Sequence, residues 1–305
     1  RHQTVRLRHF IVGSSDANCQ RKNVSGENLM NTKIVIPVYK SVLSREEQIS
    51  LNQVLRVLAK HPFVFVTNKN VDLSVYEMES AKANVTFGFE FFDPEYFGSV
   101  ADYSRLLLSR EFYQRFSNDE YMLIYQLDAH VFRDELEYWA SLGFDYIGSP
   151  WFTHFGNHEN GNKLWKVGNG GVSLRKVSSF LNTFDKTLPF SSYPFFVKNI
   201  RAKGFLKMLW KTFLMFFQLT FTKRTIEFYI KNYFDFRINE DCFWADALSN
   251  TAIALKVPDT ITAARFCLEQ SPSYLYSLTG NTLPFSCHAY RKYEYETFWK
   301  EIIGD

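Results

Sequence analysis

The chain has little cysteine, and what it has is unpaired in sequence. Its four cysteines, Cys19, Cys242, Cys267 and Cys287, form no C-x-x-C pair and show no zinc-like spacing. That pattern argues against a disulfide scaffold or a zinc module and leads one to expect reduced, buried thiols in a cytoplasmic protein. Charge of one sign is also scarce. The formal net charge is +3 over 305 residues, so nucleic acid is not expected as a partner; a phosphate-backbone binder carries a stronger basic stripe. No repeat or low-complexity segment interrupts the chain. Residues 1–29 are arginine-rich, lack an apolar period and lack the h-region of a signal peptide. They read as a disordered or non-native extension, with Met30 as the natural start.

Apolar residues make up 46% and charged residues 22%, the balance of a soluble globular protein long enough to bury a sizeable core. Aromatic residues reach 18%, with 31 Phe and 17 Tyr. Such rings supply mostly core area, and in places a face on which a sugar can stack.

Asn31 to Tyr39 reads as a strongly apolar first strand. Leu51, Val54, Leu55 and Leu58 then recur at helical spacing until His61-Pro62 stops the helix. Phe63 to Thr67 reads as a second strand, and the alternation of Val85, Phe87, Phe89 and Phe91 as a third. Tyr103, Leu107, Leu108, Phe112 and Phe116 mark one more helix, and Tyr121 to Leu127 is an apolar run ending at Asp128. Strands alternating with helices predict an α/β fold with a mostly parallel sheet covered on both faces. Beyond it, Tyr146-Ile147-Gly148 reads as a short strand, Gly168 to Gly171 as a tight turn into Val172-Ser173-Leu174, and Phe180 to Lys198 as loop. One domain with an elaborated C-terminal half is expected.

Ligands of parallel α/β sheets bind at the carboxyl ends of the strands. Gln126-Leu127-Asp128-Ala129-His130 is such an end, and a carboxylate and an imidazole two residues apart on an extended segment can face one divalent cation. The same residues also read as a helix-capping Asp beside an exposed His. Gly168-Asn169-Gly170-Gly171 suits close backbone approach by a ligand or an ordinary hairpin. Asn239-Glu240-Asp241 sets two acids at a helix start, where the macrodipole favours them with or without a catalytic role. His288, in the apolar stretch Pro284 to Tyr290, fits a metal ligand or a satisfied core histidine.

In this order, Q-L-D-x-H, G-N-G-G, N-E-D and the late Cys287-His288-Ala289 resemble a family plan. The chain resembles glycosyltransferases of the GT-A fold, in particular an uncharacterised glycosyltransferase-like bacterial family carrying these four motifs. The resemblance covers about residues 31–300. It implies a GT-A-like, Rossmann-related domain at 30–305, with a donor-binding half at about 30–150 and an acceptor-side half at 151–305. Asp128 and His130 stand where the metal motif D-x-D stands, and His288 where a late histidine completes the metal shell. Gly170 and Gly171, with Asn169, match the turn beside the sugars. Asp241 matches the general base of inverting members, with Glu240 beside it. Pro37, Val38 and Tyr39 are expected at the nucleotide base, Asp102 and Arg105 near the donor diphosphate, and Trp151 as a sugar-stacking ring. Mn²⁺ or Mg²⁺ is the implied cofactor, although His130 in place of the second Asp makes the ligand set a mixed oxygen–nitrogen one.

The implied activity is hexosyl-type transfer from a nucleotide-sugar donor to a glycan or lipid-linked acceptor, with inversion, of the kind used in cell-surface polysaccharide biosynthesis. A metal-dependent sugar-nucleotide hydrolase or nucleotidyltransferase, and a non-catalytic carbohydrate-binding protein, are the alternatives. Residues 204–222 are nearly long enough to span a membrane, but Lys207 and Lys211 argue for an amphipathic helix, either lying at the inner membrane face or packed on the core.

Overall fold

The structure is a computed structural model describing residues 31–200, 202, 204–249 and 251–304. The expectation for residues 1–29 therefore lies outside the described residues.

The first half alternates as its sequence pattern demands. Strand β1 (Thr32–Pro37) leads through Ser44 into helix α1 (Arg45–Val57). Ser44 Oγ accepts from the Glu47 amide and the Glu47 carboxylate accepts from the Ser44 amide, a capping box that fixes where α1 begins. Leu51, Val54, Leu55 and Leu58 are fully buried, each contributing about 1.5–3 kcal/mol of apolar burial. Strand β2 (Phe63–Thr67), helix α2 (Ser74–Lys82) and strand β3 (Phe87–Phe91) follow. Where one helix was expected there are two: α3 (Val100–Leu107) and α4 (Arg110–Gln114). Ser109 divides them by capping α4 through the Phe112 amide.

Strand β4 (Tyr121–Tyr125) ends three residues before Asp128. After a turn comes β5 (Ala129–Val131), then α5 (Leu136–Ser141), β6 (Tyr146–Ile147), the hairpin β7 (Ser149–Phe152) and β8 (Leu164–Gly168), and β9 (Val172–Lys176). Contrary to expectation, Phe180 to Lys198 is not mainly loop. Most of it lies in α6 (Val177–Asp185) and α7 (Tyr193–Lys198), because Val177, Phe180 and Phe184 recur on one buried face. Then come α8 (Phe205–Phe221), α9 (Ile226–Tyr233) and α10 (Glu240–Cys242), which continues as a π turn through Phe243–Ala247. Helix α11 (Thr260–Phe266), strand β10 (Cys267–Leu268), helix α12 (Pro272–Leu278) and strand β11 (Ser286–His288) complete the site-bearing part.

The main sheet runs β3-β2-β1-β4-β9-β6, with β1 to β4 mutually parallel and β9 antiparallel to both neighbours. Alternate residues feed two cores. Val35, Met122 and Ile124 pack with α3, α4, α6 and α9, while Ile34, Ile36, Leu123 and Tyr125 pack with α1 and α5. The protein is thus a single α/β domain with a mostly parallel sheet flanked by helices. From β1 the chain winds outward to β3, then returns to place β4 on the other side of β1. The carboxyl ends of β1 and β4 consequently flank the crevice where such sheets take ligands.

Candidate active site

A cavity of about 530 Å³ opens at that switch point, a size suited to a small organic ligand. Pro37, Val38 and Tyr39 after β1, and Gln126, Leu127 and Asp128 after β4, line it from the sheet. Asn169, Gly170 and Gly171 from the β8–β9 turn, Glu240 and Asp241 from α10, and Glu269 and His288 complete the far wall. Ten of the residues expected from sequence therefore meet in one place: Pro37, Val38, Tyr39, Asp128, Asn169, Gly170, Gly171, Glu240, Asp241 and His288.

His288 is the hinge of the polar wall. Its Nε2 stands 3.2 Å from Asp128 Oδ1 and its Nδ1 is 3.1 Å from Glu269 Oε1. The approach to Asp128 lacks hydrogen-bond geometry, so the buried Nε2 has no hydrogen-bond partner. Glu269 reaches onward with its other oxygen, which accepts from Asn169 Nδ2 at 3.0 Å. Asn169 Oδ1 in turn accepts from the Gly171 and Val172 amides, which locks the glycine turn. Gly171 is required here by space: a Cβ on it would lie 2.0 Å from His288 Nε2. Burial disfavours the His288 imidazolium, yet the Asp128 and Glu269 carboxylates outweigh that and raise its pKa to about 10.

The two acids of α10 differ in kind. Glu240 Oε1 accepts from the fully buried Arg175 at 2.6 Å, and Tyr113 and Ser173 hold the rest of that guanidinium. Glu240 Oε2 is buried and without a hydrogen-bond partner. Asp241 is only 8% exposed, and its Oδ1 accepts from the Cys242 amide. Burial, reinforced by the charges of Glu240 and Glu269, pushes the Asp241 pKa up to about 7.

Four expected residues are not brought to the cavity. The chain turns at Leu127–Asp128, where the Ala129 amide bonds back to Gln126, so Asp128 and His130 do not share one side of an extended segment. His130 pairs with Cys287 across β5 and β11, and its ring lies against Phe132 and Tyr290. Burial lowers its pKa to about 4. Asp102 accepts from Ser99 at the start of α3. Arg105 lies over Tyr96, bonded to Glu95. Trp151 is a core ring, so close to Gly168 that a Cβ there would meet it at 2.4 Å. Glu269 was not anticipated; its one local signal is an acid closing the apolar pair Cys267-Leu268, again a strand end.

Among the described residues no cluster of three or more His, Cys, Asp or Glu side chains is arranged to hold a metal ion. The set Asp128, His130 and His288 is therefore not assembled. The pair Asp128 and His288 nevertheless fits a divalent ion: a carboxylate oxygen and an orphaned imidazole nitrogen face each other, and Glu269 occupies the other ring nitrogen, as an orienting carboxylate does for a metal-bound histidine. Two protein ligands suffice where substrate phosphates supply others.

The sequence pattern of a family described as "Protein of unknown function (DUF5672)" matches residues 86–288. No curated protein matches the chain. Among solved structures, it is similar to mouse xyloside xylosyltransferase 1 in its apo form, at 13% identity, covering 85% of this chain and 97% of that one, with a TM-score of 0.46. It is similar to the galactosyltransferase LgtC in complex with donor and acceptor sugar analogues, at 14% identity, 84% and 86% coverage and a TM-score of 0.43. Core-mannan synthase A of Aspergillus fumigatus in a Mn/GDP form matches at 13% identity over 44% of this chain, with a TM-score of 0.33, and the match spans only 45% of that protein's length.

Proposed function

We propose that this chain, which belongs to the DUF5672 family of proteins of unknown function, is a metal-dependent glycosyltransferase. It moves a sugar, with inversion, from a nucleoside-diphosphate sugar to a hydroxyl of a glycan or lipid-linked acceptor. The observation that carries this reading is that one switch-point cavity brings the Asp128–His288–Glu269 cluster together with Asp241, a buried acid whose pKa is raised to about 7.

Each wall has its task. Pro37, Val38 and Tyr39 form the apolar lip against which a nucleotide base rests. Asp128 and His288 would hold the ion, which when bound supplies Lewis acidity to the leaving diphosphate; one imidazole in the set favours Mn²⁺ over the oxygen-seeking Mg²⁺. The Gly170 and Gly171 backbone lets a sugar approach where side chains would block it. Glu240 Oε2, already desolvated and unpartnered, accepts from a substrate hydroxyl. Asp241 takes the acceptor proton as the acceptor oxygen bonds to the anomeric carbon, whose bond to the diphosphate breaks on the opposite face. A carboxylate titrating near neutrality is matched to that task.

The test is a thermal-shift screen of nucleoside diphosphates and nucleotide sugars with Mn²⁺, followed by product analysis with and without acceptor sugars. Asp128→Asn should lose the metal-dependent shift. Asp241→Asn should keep it and lose transfer by roughly 10²–10⁴-fold, the contribution of a general base. Release of free sugar independent of any acceptor would make the protein a hydrolase instead. A screen with no metal-dependent ligand would remove the reading altogether.

A further inference from the structure

Helix α8 is built inside out for a helix on a protein surface. It packs on the body through Met215 and Leu219. At about 3.6 residues per turn, the face opposite that pair should be polar. Here it carries Leu206 at 80% exposure, Trp210 at 61%, Phe213 at 59% and Phe217 at 48%. Phe205 and Phe221 extend the exposed apolar surface to both ends of the helix. Lys207 and Lys211 sit at the shoulder between the buried and outward faces, and Lys211 Nζ donates to Asn232 O. Among the described residues no helix is long and apolar enough to cross a membrane.

Charge says what covers this face. Residues 186–226 hold none of the chain's 32 acids but eight of its 35 basic residues. The remaining 264 residues hold 27 basic and 32 acidic ones. Lys186, Lys198, Lys207, Lys223 and Arg224 are exposed around the helix. A second copy of the chain seated face to face would bring like charges together, with no acid on α8 or elsewhere in residues 186–226 to offset them. A sheet of anionic headgroups over hydrocarbon meets both features at once.

We infer that α8 is an interfacial anchor, lying in the plane of an anionic lipid bilayer with Leu206, Trp210, Phe213 and Phe217 inserted and the surrounding cations at the headgroups. Buried apolar area and electrostatic attraction act together in such helices. The inference does not depend on the transferase reading, since it rests on the exposed face of α8, no residue of which lines the cavity, and on its charge.

The full chain is floated with vesicles of phosphatidylcholine alone and of phosphatidylcholine supplemented with phosphatidylglycerol, at low and high salt. Flotation is expected with the anionic vesicles and should fall with salt. Phe213→Ser with Phe217→Ser should abolish it. Lys207→Glu with Lys223→Glu should weaken it roughly tenfold or more, at about a kilocalorie per surface charge. Trp210→Ser serves where the double Phe variant fails to fold, as judged by circular dichroism. Absence of flotation with either vesicle would overturn the inference, as would flotation indifferent to all these variants. So would an α8-dependent dimer in sedimentation velocity that does not bind vesicles.

Discussion

Gly171 sits where one added carbon atom would be felt by the whole polar wall. Its backbone is not left-handed, so alanine is tolerated locally; the obstacle is His288, 2.0 Å from the new Cβ. Gly171→Ala should therefore displace the imidazole from Asp128 and Glu269 and lower metal-dependent donor binding by roughly 10–100-fold, as for loss of an orienting contact. Isothermal titration with Mn²⁺ and a nucleoside diphosphate measures it, and unchanged affinity would show that the imidazole is not a ligand. Asp241 makes a second prediction, with a definite sign. Its folded pKa of about 7 lies above the ordinary aspartate value of 3.8, so the folded state favours the proton. Its contribution to stability is full at low pH and is lost as pH rises from about 4 to about 7. Asp241→Asn should then melt higher than the parent at pH 8, with the gap closing by pH 4; each tenfold weakening of the acid corresponds to roughly 1.4 kcal/mol. At this scale the sequence is informative wherever a polar residue ends an apolar run, as Asp128 does. It is silent on Glu269, whose meaning comes from Asn169, a hundred residues away.

Elements are legible to the extent that one period governs them. β2 is readable to the residue because its neighbours, His61-Pro62 before it and a polar stretch after it, are unambiguous. The segment Phe180 to Lys198 reads wrongly as loop because its serines and prolines mask the spacing of Val177, Phe180 and Phe184. His130 misleads for a related reason: the turn at Leu127–Asp128 resets the side-chain alternation, and nothing local announces it. How elements are tied together is not legible at all. Arg175 on β9, fully buried, fastens the start of α10 to the sheet through Glu240 and, through Tyr113, to α4. Removing one member of a buried pair strands the other charge. Arg175→Met should cost about 3–5 kcal/mol in urea unfolding. Arg175→Met with Glu240→Gln should recover part of that loss. Equal losses in the single and double variants would mean that the ion pair is not what couples sheet and helix.

The molecule as a whole brings to one cavity residues from 37 to 288, which no linear reading could order; alternation predicts a parallel sheet, but not the antiparallel insertion of β9 that aims the Gly170–Gly171 turn at His288. Because β1, β4, β9, α10 and β11 all contribute, a ligand in that cavity cannot stay bound once any of them unfolds. Its binding energy should therefore appear in global unfolding. At a hundredfold excess over the dissociation constant the gain is about 2.7 kcal/mol, or a rise of roughly 5 °C in melting temperature for a domain of this size. A nucleoside diphosphate with Mn²⁺ should produce that rise, and a chelator should remove it. Asp128→Asn should remove it as well; it should also lower the ligand-free melting temperature, because the buried His288 imidazolium loses the carboxylate that faces it, so the rise is read against each variant's own ligand-free value. If the rise survives both the chelator and Asp128→Asn, the ligand is held by the apolar lip at Pro37 to Tyr39 alone, and the metal has no part in binding.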